Sequence, residues 1–228
     1  MYDIEGYGRA EYVDFNPDLS DLRRSRSWMP TNYVYQHLDG FRWEYYAEDT
    51  KKLQELTDLF VAGYQEWRKQ GRGLYIWSQA KGSGKTMLAC CLANEVIDKF
   101  SAVVKFINAT DFVKLIASKD SESIKALYNC GLMIFDDIGA EDSKKDWILE
   151  NVYRLINHRY SNNLPTIFTS NNSYYQTHKD DRIHSRIFGA SIELRLPDSN
   201  IREAMSLKTQ NTFLSELAQN YQKGAPND

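Results

Sequence analysis

The sequence is poor in the residues that build metal centres and disulfide frameworks. It has three cysteines in 228 residues, Cys90, Cys91 and Cys130, all in apolar surroundings and without a Cys-x-x-Cys pair. We therefore expect buried free thiols in a reducing cytoplasm. The four histidines are scattered without ligand spacing, so the sequence predicts no zinc site.

Long apolar runs and an excess of positive charge are also missing. No stretch approaches the ~20 residues of a membrane span, and residues 1–5 do not have the pattern of a signal peptide. Net charge is −3, so any contact with nucleic acid must come from a local basic stripe. A hydrophobic fraction of 42% with 26% charged residues is ordinary for a globular domain with a full core. These features predict a cytoplasmic protein.

The clearest chemical signal is LYIWSQAKGSGKT at residues 74–86. A short β-forming run leads into a glycine-containing turn, and an amphipathic, alanine-rich segment follows. This order is typical of a phosphate loop (residues 79–86 here), because N–H groups of the loop and of the first helical turn converge on an anion. We expect Lys85 to neutralise the β- and γ-phosphates and Thr86 to hold Mg²⁺. The predicted nucleotide-binding residues are Lys81, Gly82, Ser83, Gly84, Lys85, Thr86 and Met87.

One position departs from the motif GxxxxGK[ST]. The motif has glycine five positions before Gly84, where this chain has Gln79. A chance Gly-Lys-Thr is the alternative, but the flanking strand and helix patterns argue against it. The residues nearest the phosphates, Gly82, Gly84, Lys85 and Thr86, are of the expected type. The sequence therefore predicts a working but non-ideal phosphate loop.

Two acids follow the apolar run at residues 132–135, about 50 residues after the phosphate loop. The run is continuously apolar, as in a central parallel strand. We expect Asp136 to hold Mg²⁺, usually through water, and Asp137 to act as general base. Many strands end in a turn-forming Asp, so the signal depends on the spacing. In ATPases with a phosphate loop the general base is more often Glu. The side chain of Asp137 is shorter by one methylene, which predicts slow hydrolysis.

Three further positions are candidate catalytic residues. Asn171 follows the strand predicted at 166–169 and would orient the attacking water or the γ-phosphate, unless it only caps the turn. Arg182 and Arg186 lie four residues apart, hence on one face of a helix. They are either an arginine finger for a neighbouring subunit or part of an ion-paired surface with the acids at 180–181. Arg202, at the start of the last helical stretch, would reach the γ-phosphate of its own site.

Alternating strand and helix patterns predict an α/β fold with a five-stranded parallel sheet covered on both faces. Strands are expected at residues 74–77, 103–107, 132–135, 166–169 and 191–196. Helices are expected at 48–70, after 86, after a cap at 110–111, at 121–128, around 148–156 and at 199–218. We divide the chain into an N-terminal arm and lead-in (1–47), an ATPase domain (48–218) and a frayed tail (219–228). The basic cluster at 23–26 belongs either to an arm that is flexible or packs on the core, or to a tail that contacts DNA or a partner.

Several of these segments together resemble the DnaC/DnaI-type bacterial helicase loaders, including phage and prophage versions, of the initiator clade of AAA+ ATPases. The string DDIGAE after an apolar strand is the most specific of them. Residues 29–33 and 38–41 resemble the segment before the ATPase core, and the similarity covers about residues 28–215. The other matching segments are GKT at 84–86, TSN at 169–171, RIHSR at 182–186 and Arg202.

The resemblance implies a P-loop AAA+ core of three αβα layers, here with little or no separate lid domain. It implies ATP or ADP and Mg²⁺ as cofactors, assembly of a homo-oligomer through the arginine finger, and delivery of a ring-shaped replicative helicase to single-stranded DNA. Full-length loaders carry a separate helicase-binding domain, which the first 30 or so residues here are too few to form. By the resemblance Lys85 and Thr86 are Walker A, Asp136 and Asp137 Walker B, Asn171 sensor I, Arg186 the finger with Arg182 beside it, and Arg202 sensor II.

Other functions stay open at this stage. An IstB-type transposition ATPase shares the core and acts with a transposase. A small-molecule kinase also uses a phosphate loop but usually lacks the arginine-rich box and the Asn sensor. A non-hydrolysing scaffold would use ATP only to stabilise a complex.

The candidate contacts with single-stranded DNA are Phe112, Lys114, Lys119 and Lys125. The alternative is a packed Phe with solvated lysines.

Overall fold

The computed structural model describes residues 18–140, 145–177 and 180–224. At its centre is a sheet of five parallel strands in the order β2-β3-β4-β1-β5. The predicted five-stranded parallel sheet is confirmed, with strand ends that differ by at most one residue. The strands are β1 Gly73–Trp77, β2 Val104–Asn108, β3 Leu132–Asp136, β4 Thr166–Ser170 and β5 Ser191–Arg195.

Helices cover both faces of the sheet, because alternate residues of each strand point to opposite sides. Leu74 and Ile76 of β1 pack with α4 in one core, whereas Tyr75 packs with α7 in the other. The three cysteines are buried and free, as predicted. Among the described residues, no helix is both long and apolar enough to cross a membrane. The helices are α1 Ser20–Ser25, α2 Lys51–Ala62, α3 Tyr64–Lys69, α4 Lys85–Phe100, α5 Ala109–Ser118, α6 Ser121–Asn129, α7 Asp146–Ser161, α8 Tyr174–Thr177, α9 Asp181–Ala190 and α10 Ile201–Gly224.

Strand β4 lies between β1 and β3, so the phosphate loop and the paired acids do not follow neighbouring strands. Ile167 of β4 is paired in register with Leu74 on one side and with Ile134 on the other. All three strands run in the same direction, which brings their carboxyl ends to one edge of the sheet. The loop after β1, the polar end of β4 and the acids at the end of β3 therefore meet at that edge.

Several helix boundaries differ from the prediction. The helix expected over 48–70 is interrupted at Gly63, which separates α2 from α3 and is a weak helix former. The cap of α5 is Asn108, whose side chain accepts from the N–H of Asp111, and not the predicted 110–111 pair. The last helix extends to Gly224, beyond the predicted end at residue 218, because periodicity fixes a helix face more sharply than its ends.

The lead-in packs on the core. Arg24 in α1 is buried and pairs with Asp98 of α4 and with Asp21 at 3.0 Å. The carbonyl oxygen of Ser27 accepts from the N–H of Phe106 at 2.7 Å, on the outer edge of β2. Of the two interpretations of the basic cluster, the packed arm therefore holds for Arg24.

Arg159 of α7 is a second buried arginine, and the sequence reading did not single it out. It is 1% exposed, and its guanidinium donates to the carbonyl oxygens of Leu127, Cys130 and Pro165 at 2.8 to 3.1 Å and to the Thr166 hydroxyl at 3.0 Å. Its burial lowers its pKa. The side chain joins the end of α6 to the start of β4 and thereby fixes how α7 packs against the sheet.

Candidate nucleotide-binding site

The phosphate loop has the backbone shape that its glycines predict. Gly82 and Gly84 have φ angles of 75° and 89°, in the left-handed region that favours glycine. The loop also lies tightly against its surroundings. A Cβ on Gly84 would lie 2.7 Å from Cδ1 of Ile201, and one on Gly82 would collide with Oδ1 of Asn200. Gly84 is followed directly by α4, so the N–H groups of the first helical turn point at the same space.

Lys85 is folded onto its own loop. Its ammonium group donates to the carbonyl oxygens of Ser78 at 3.3 Å and Ala80 at 3.0 Å, and to Oγ of Ser83 at 3.1 Å. The residue is 6% exposed, and burial lowers its pKa although nearby Asp137 and Asp136 oppose this. The ammonium group has no carboxylate in direct contact among these partners, so it can exchange the carbonyl oxygens for phosphate oxygens.

Asp136 ends β3, and two hydroxyl groups donate to its carboxylate. Oδ1 accepts from Oγ1 of Thr86 at 2.9 Å and from Oγ1 of Thr169 at 2.6 Å. Burial raises the pKa of Asp136 to about 6, against the effect of these hydrogen bonds. A hydroxyl and a carboxylate in contact are the oxygen ligands that Mg²⁺ takes. The donor set at Thr86 and Asp136 therefore fits the predicted ion.

Thr169 orders the paired acids and was missed by sequence reasoning as an individual residue. Its fully buried hydroxyl donates to Asp136 and accepts from the N–H of Asp137 at 2.9 Å. Asp137 has a φ of 53°, so the chain turns sharply there and directs two consecutive carboxylates differently. The available signal was a pair of hydroxyl-bearing residues, Thr169 and Ser170, after the apolar pair at 167–168.

A cavity of about 690 Å³ lies over the phosphate loop. It brings together all seven predicted nucleotide-binding residues with Asp137, Asn171 and Arg202. Its other walls come from the lead-in, through Tyr33, and from α10, through Met205 and its neighbours. Sequence reasoning did not assign these to the site. The lining residues outside the predicted set are Tyr33, Ile201, Met205, Ser206, Thr209 and Gln210.

The lead-in also makes a hydrogen bond to the phosphate loop. The hydroxyl of Tyr46 donates to the carbonyl oxygen of Ser83 at 2.5 Å, and its burial raises its pKa. Phe41 packs beside it, with ring centroids 6.3 Å apart. Aromatic residues in the lead-in were visible in the sequence, but nothing in their spacing indicated contact with the loop.

The two arginines of α9 lie against α7 and do not line the cavity. Arg182 pairs with Asp180 at 2.8 Å and with Glu150 at 3.7 Å. Arg186 donates from Nε to Oδ1 of Asn157 at 2.8 Å. Within this chain, the predicted ion-paired surface therefore describes Arg182.

The single-strand candidates fall into two groups. Phe112 is 2% exposed and packs edge-on against Phe135, with ring centroids 5.5 Å apart. Lys114 pairs with Asp111 at 2.8 Å. The packed-Phe alternative is thus confirmed, and Phe112 offers no free ring for a base. Lys119 and Lys125 are exposed.

Comparison with known proteins gives matches for most of the chain. The family model described as IstB-like ATP binding protein matches residues 35–187. The replicative helicase loader DnaI of Bacillus subtilis (strain 168) is 31% identical over 164 residues, which are 67% of this chain and 51% of that protein. Protein XkdC of the phage-like element PBSX, from the same organism, is 27% identical over 139 residues, 57% of this chain and 52% of that protein. The chain spans about half the length of these curated relatives.

Solved structures show the same fold at lower identity. The crystal structure of DnaI has a TM-score of 0.61 and 24% identity, and covers 74% of this chain and 95% of its own. That of the DnaC helicase loader has a TM-score of 0.60 and 22% identity, covering 73% and 99%. The replication initiator DnaA bound to AMPPCP and single-stranded DNA has a TM-score of 0.59 and 19% identity, covering 74% and 51%. With the P-loop AAA+ fold of these structures and a family match over more than half of its length, the chain belongs to the IstB-like ATP binding proteins.

Proposed function

We propose that this protein uses ATP to load a ring-shaped replicative helicase onto single-stranded DNA. The observation that carries the proposal is the convergence of the phosphate loop, Asp137, Asn171 and Arg202 around one cavity, with Asp136 bonded to Thr86 of the loop. The 31% identity to the helicase loader DnaI supports the same activity. The match covers about half of that relative, so the helicase partner and the DNA substrate are part of the proposal.

ATP or ADP would bind with its phosphates over the phosphate loop. Lys85 would exchange the carbonyl oxygens of Ser78 and Ala80 for the β- and γ-phosphate oxygens, and Arg202 would contact the γ-phosphate from α10. Thr86 and Asp136 would hold Mg²⁺, which supplies positive charge beside the phosphates. The low exposure of this region strengthens these charge interactions.

Hydrolysis would use two further residues that line the same cavity. Asp137 lines the cavity and would accept the proton of the attacking water, which Asn171 would orient. An aspartate reaches about one methylene less far than the usual glutamate, and we expect slow turnover for that reason. Slow hydrolysis suits a protein whose ATP-bound state must persist until its partner is delivered.

A second copy of the chain would supply the arginine finger, and Arg186 suits this role better than Arg182. Arg182 is held by two carboxylates, Asp180 and Glu150. The partner of Arg186 is the neutral amide of Asn157, and no carboxylate pairs with Arg186 in the part of the chain that the structure describes. Arg186 can therefore leave its partner for a phosphate at lower cost.

The family match supports a second candidate, an ATPase that acts with a transposase on DNA. Both candidates use the same nucleotide site, so the site does not separate them. A replicative helicase or a replisome organiser beside the gene favours loading, whereas a transposase of an insertion sequence favours transposition.

The test is retention of purified replicative helicases by the immobilised full-length protein in ATP and in ADP. We expect retention of a helicase in ATP, less in ADP, and no nucleotide dependence for Lys85→Ala. Lys99→Ala, which changes an exposed lysine of the same helix, serves as the matched control. A protein that binds ATP but retains no helicase in either nucleotide refutes loading.

Phosphate release with and without single-stranded DNA then distinguishes an ATPase from a scaffold. We expect slow release that rises with DNA and is absent in Lys85→Ala. Binding of ATP without any release assigns the protein to the scaffold class.

A further inference from the structure

The carboxylate of Asp198 binds the beginning of the phosphate loop. Its Oδ1 accepts from the N–H of Gln79 at 2.8 Å, the N–H of Ala80 at 3.3 Å and the hydroxyl of Ser78 at 2.9 Å. Its Oδ2 accepts from Arg195 at 2.9 Å. Partial burial opposes ionisation, but these hydrogen bonds hold the pKa of Asp198 below its usual range. The group is therefore a charged acceptor at neutral pH, and hydrogen bonds to a charged group are the stronger kind.

Residues 78–80 are thus bound from two sides. Lys85 donates to the carbonyl oxygens of Ser78 and Ala80, while Asp198 accepts from the N–H groups of residues 79 and 80. A bound nucleotide would break one of these two sets of hydrogen bonds and keep the other. A phosphate that draws the Lys85 ammonium away releases the carbonyl side and leaves the Asp198 side in place.

Asp198 belongs to the β5–α10 linker, residues 196–200, which leads into the helix that walls the cavity. A second contact joins the two segments, since the N–H of Arg202 donates to the carbonyl oxygen of Gly82 at 3.0 Å. Asn200 lies close enough to Gly82 to exclude any side chain there. The phosphate loop is therefore bonded at residues 79–80 to the linker and at Gly82 to the first turn of α10.

We propose that Asp198 is a positioning residue that couples occupation of the phosphate loop to the orientation of α10. When the triphosphate takes the Lys85 ammonium, residues 78–80 are released on their carbonyl side. Because residues 79 and 80 stay bonded to Asp198, their change of position is passed to the linker. The first turns of α10, with Arg202 and Met205, follow. The inference rests on the proposed nucleotide binding and adds how that binding reaches α10.

Hydrogen exchange of the full-length protein tests the coupling. Amide protection is measured in the phosphate loop and over residues 201–212, without nucleotide and with saturating ADP or the non-hydrolysable analogue AMPPNP. We expect both segments of the unmodified protein to change together. In Asp198→Ala the loop change is kept at saturation, the α10 change falls to less than about half, and nucleotide affinity falls about tenfold. Asp198→Asn restores part of the coupling, because its amide oxygen still accepts N–H bonds.

The control is Asp49→Ala, since Asp49 is also exposed and also accepts from a backbone N–H, that of Lys51 at 2.9 Å. An α10 change in Asp198→Ala equal to that of the unmodified protein overturns the proposal. Should Asp198→Ala not fold, Asp198→Asn takes its place, because it removes the charge from all three bonds to residues 78–80, and an undiminished α10 change in it overturns the proposal equally. Absence of nucleotide binding by the unmodified protein refutes the proposed function itself, whereas intact binding with unaltered coupling refutes only the role of Asp198.

Discussion

Replacing Asp136 with asparagine is expected to stabilise the nucleotide-free protein at neutral pH and to remove its response to Mg²⁺. The carboxyl is 6% exposed, and burial raises its pKa from 3.8 to about 6. A group with a higher pKa in the folded state binds its proton more tightly there. Its contribution to the free energy of unfolding is therefore largest below pH 3.8 and is lost as pH rises through about 6.

The size of the effect follows from the two pKa values. Their difference corresponds to about 3 kcal/mol of lost stability at pH 7, and about half of that at pH 5. Asparagine keeps an oxygen for the hydroxyls of Thr86 and Thr169, but its buried NH₂ group lacks a partner at a cost of about 1–2 kcal/mol. The net gain at pH 7 is about 1–2 kcal/mol, or about 2–8 °C in Tm for a chain of this size. Near pH 4.5 the gain vanishes or reverses.

Urea and thermal unfolding between pH 4.5 and 8 measure this difference, with Asp58→Asn on the exposed side of α2 as the control. The control should stay within about 0.5 kcal/mol of the unmodified protein. Addition of Mg²⁺ to the ATP-bound protein should raise Tm in the unmodified protein only. If Asp136→Asn were destabilising by the same amount at every pH, the reasoning from burial would be wrong.

Two further predictions concern arginines. Arg159→Met should lower the free energy of unfolding by about 3–5 kcal/mol, because it leaves buried carbonyl oxygens without donors. Arg154→Met, an exposed residue of the same helix paired with Glu150, should cost less than about 1 kcal/mol in the same urea titration, and equal costs would contradict the role of the buried bonds. Arg186→Ala should lower ATP turnover of the assembled protein, and mixing with Lys85→Ala should partly restore phosphate release if finger and loop come from different subunits, as proposed. No restoration would mean that Arg186 acts within its own chain or not at all.

The parts of the site that follow from local chemistry could be predicted from the sequence. A phosphate loop needs a strand, a tight turn and a helix in direct succession, and residues 74–86 contain all three. Asp136 and Asp137 were found because an apolar strand that ends in two acids is uncommon at that distance from a phosphate loop. Each of these signals lies within about 13 consecutive residues or fewer, so no tertiary information was needed.

The parts that depend on distant contacts could not be predicted. The position of β4 between β1 and β3 is a property of the assembled sheet, and it is what lets Thr169 hold Asp136. Asp198 lies about 120 residues after the loop that it binds, and an isolated aspartate near a helix start is usually read as a cap. Tyr46 likewise reaches Ser83 only in the folded chain.

Gln79 stands where the phosphate-loop motif has glycine, and the geometry at this position explains why the loop tolerates it. The motif has glycine here, yet residue 79 is not among those with positive φ, and its side chain is exposed. What the position contributes is its N–H, which binds Asp198 and which any residue except proline can offer. The requirement for glycine rests instead on Gly82 and Gly84, where positive φ and close contact with the start of α10 coincide. A side chain at either of those two positions would disturb the phosphate loop and the linker together, whereas position 79 accepts any residue except proline.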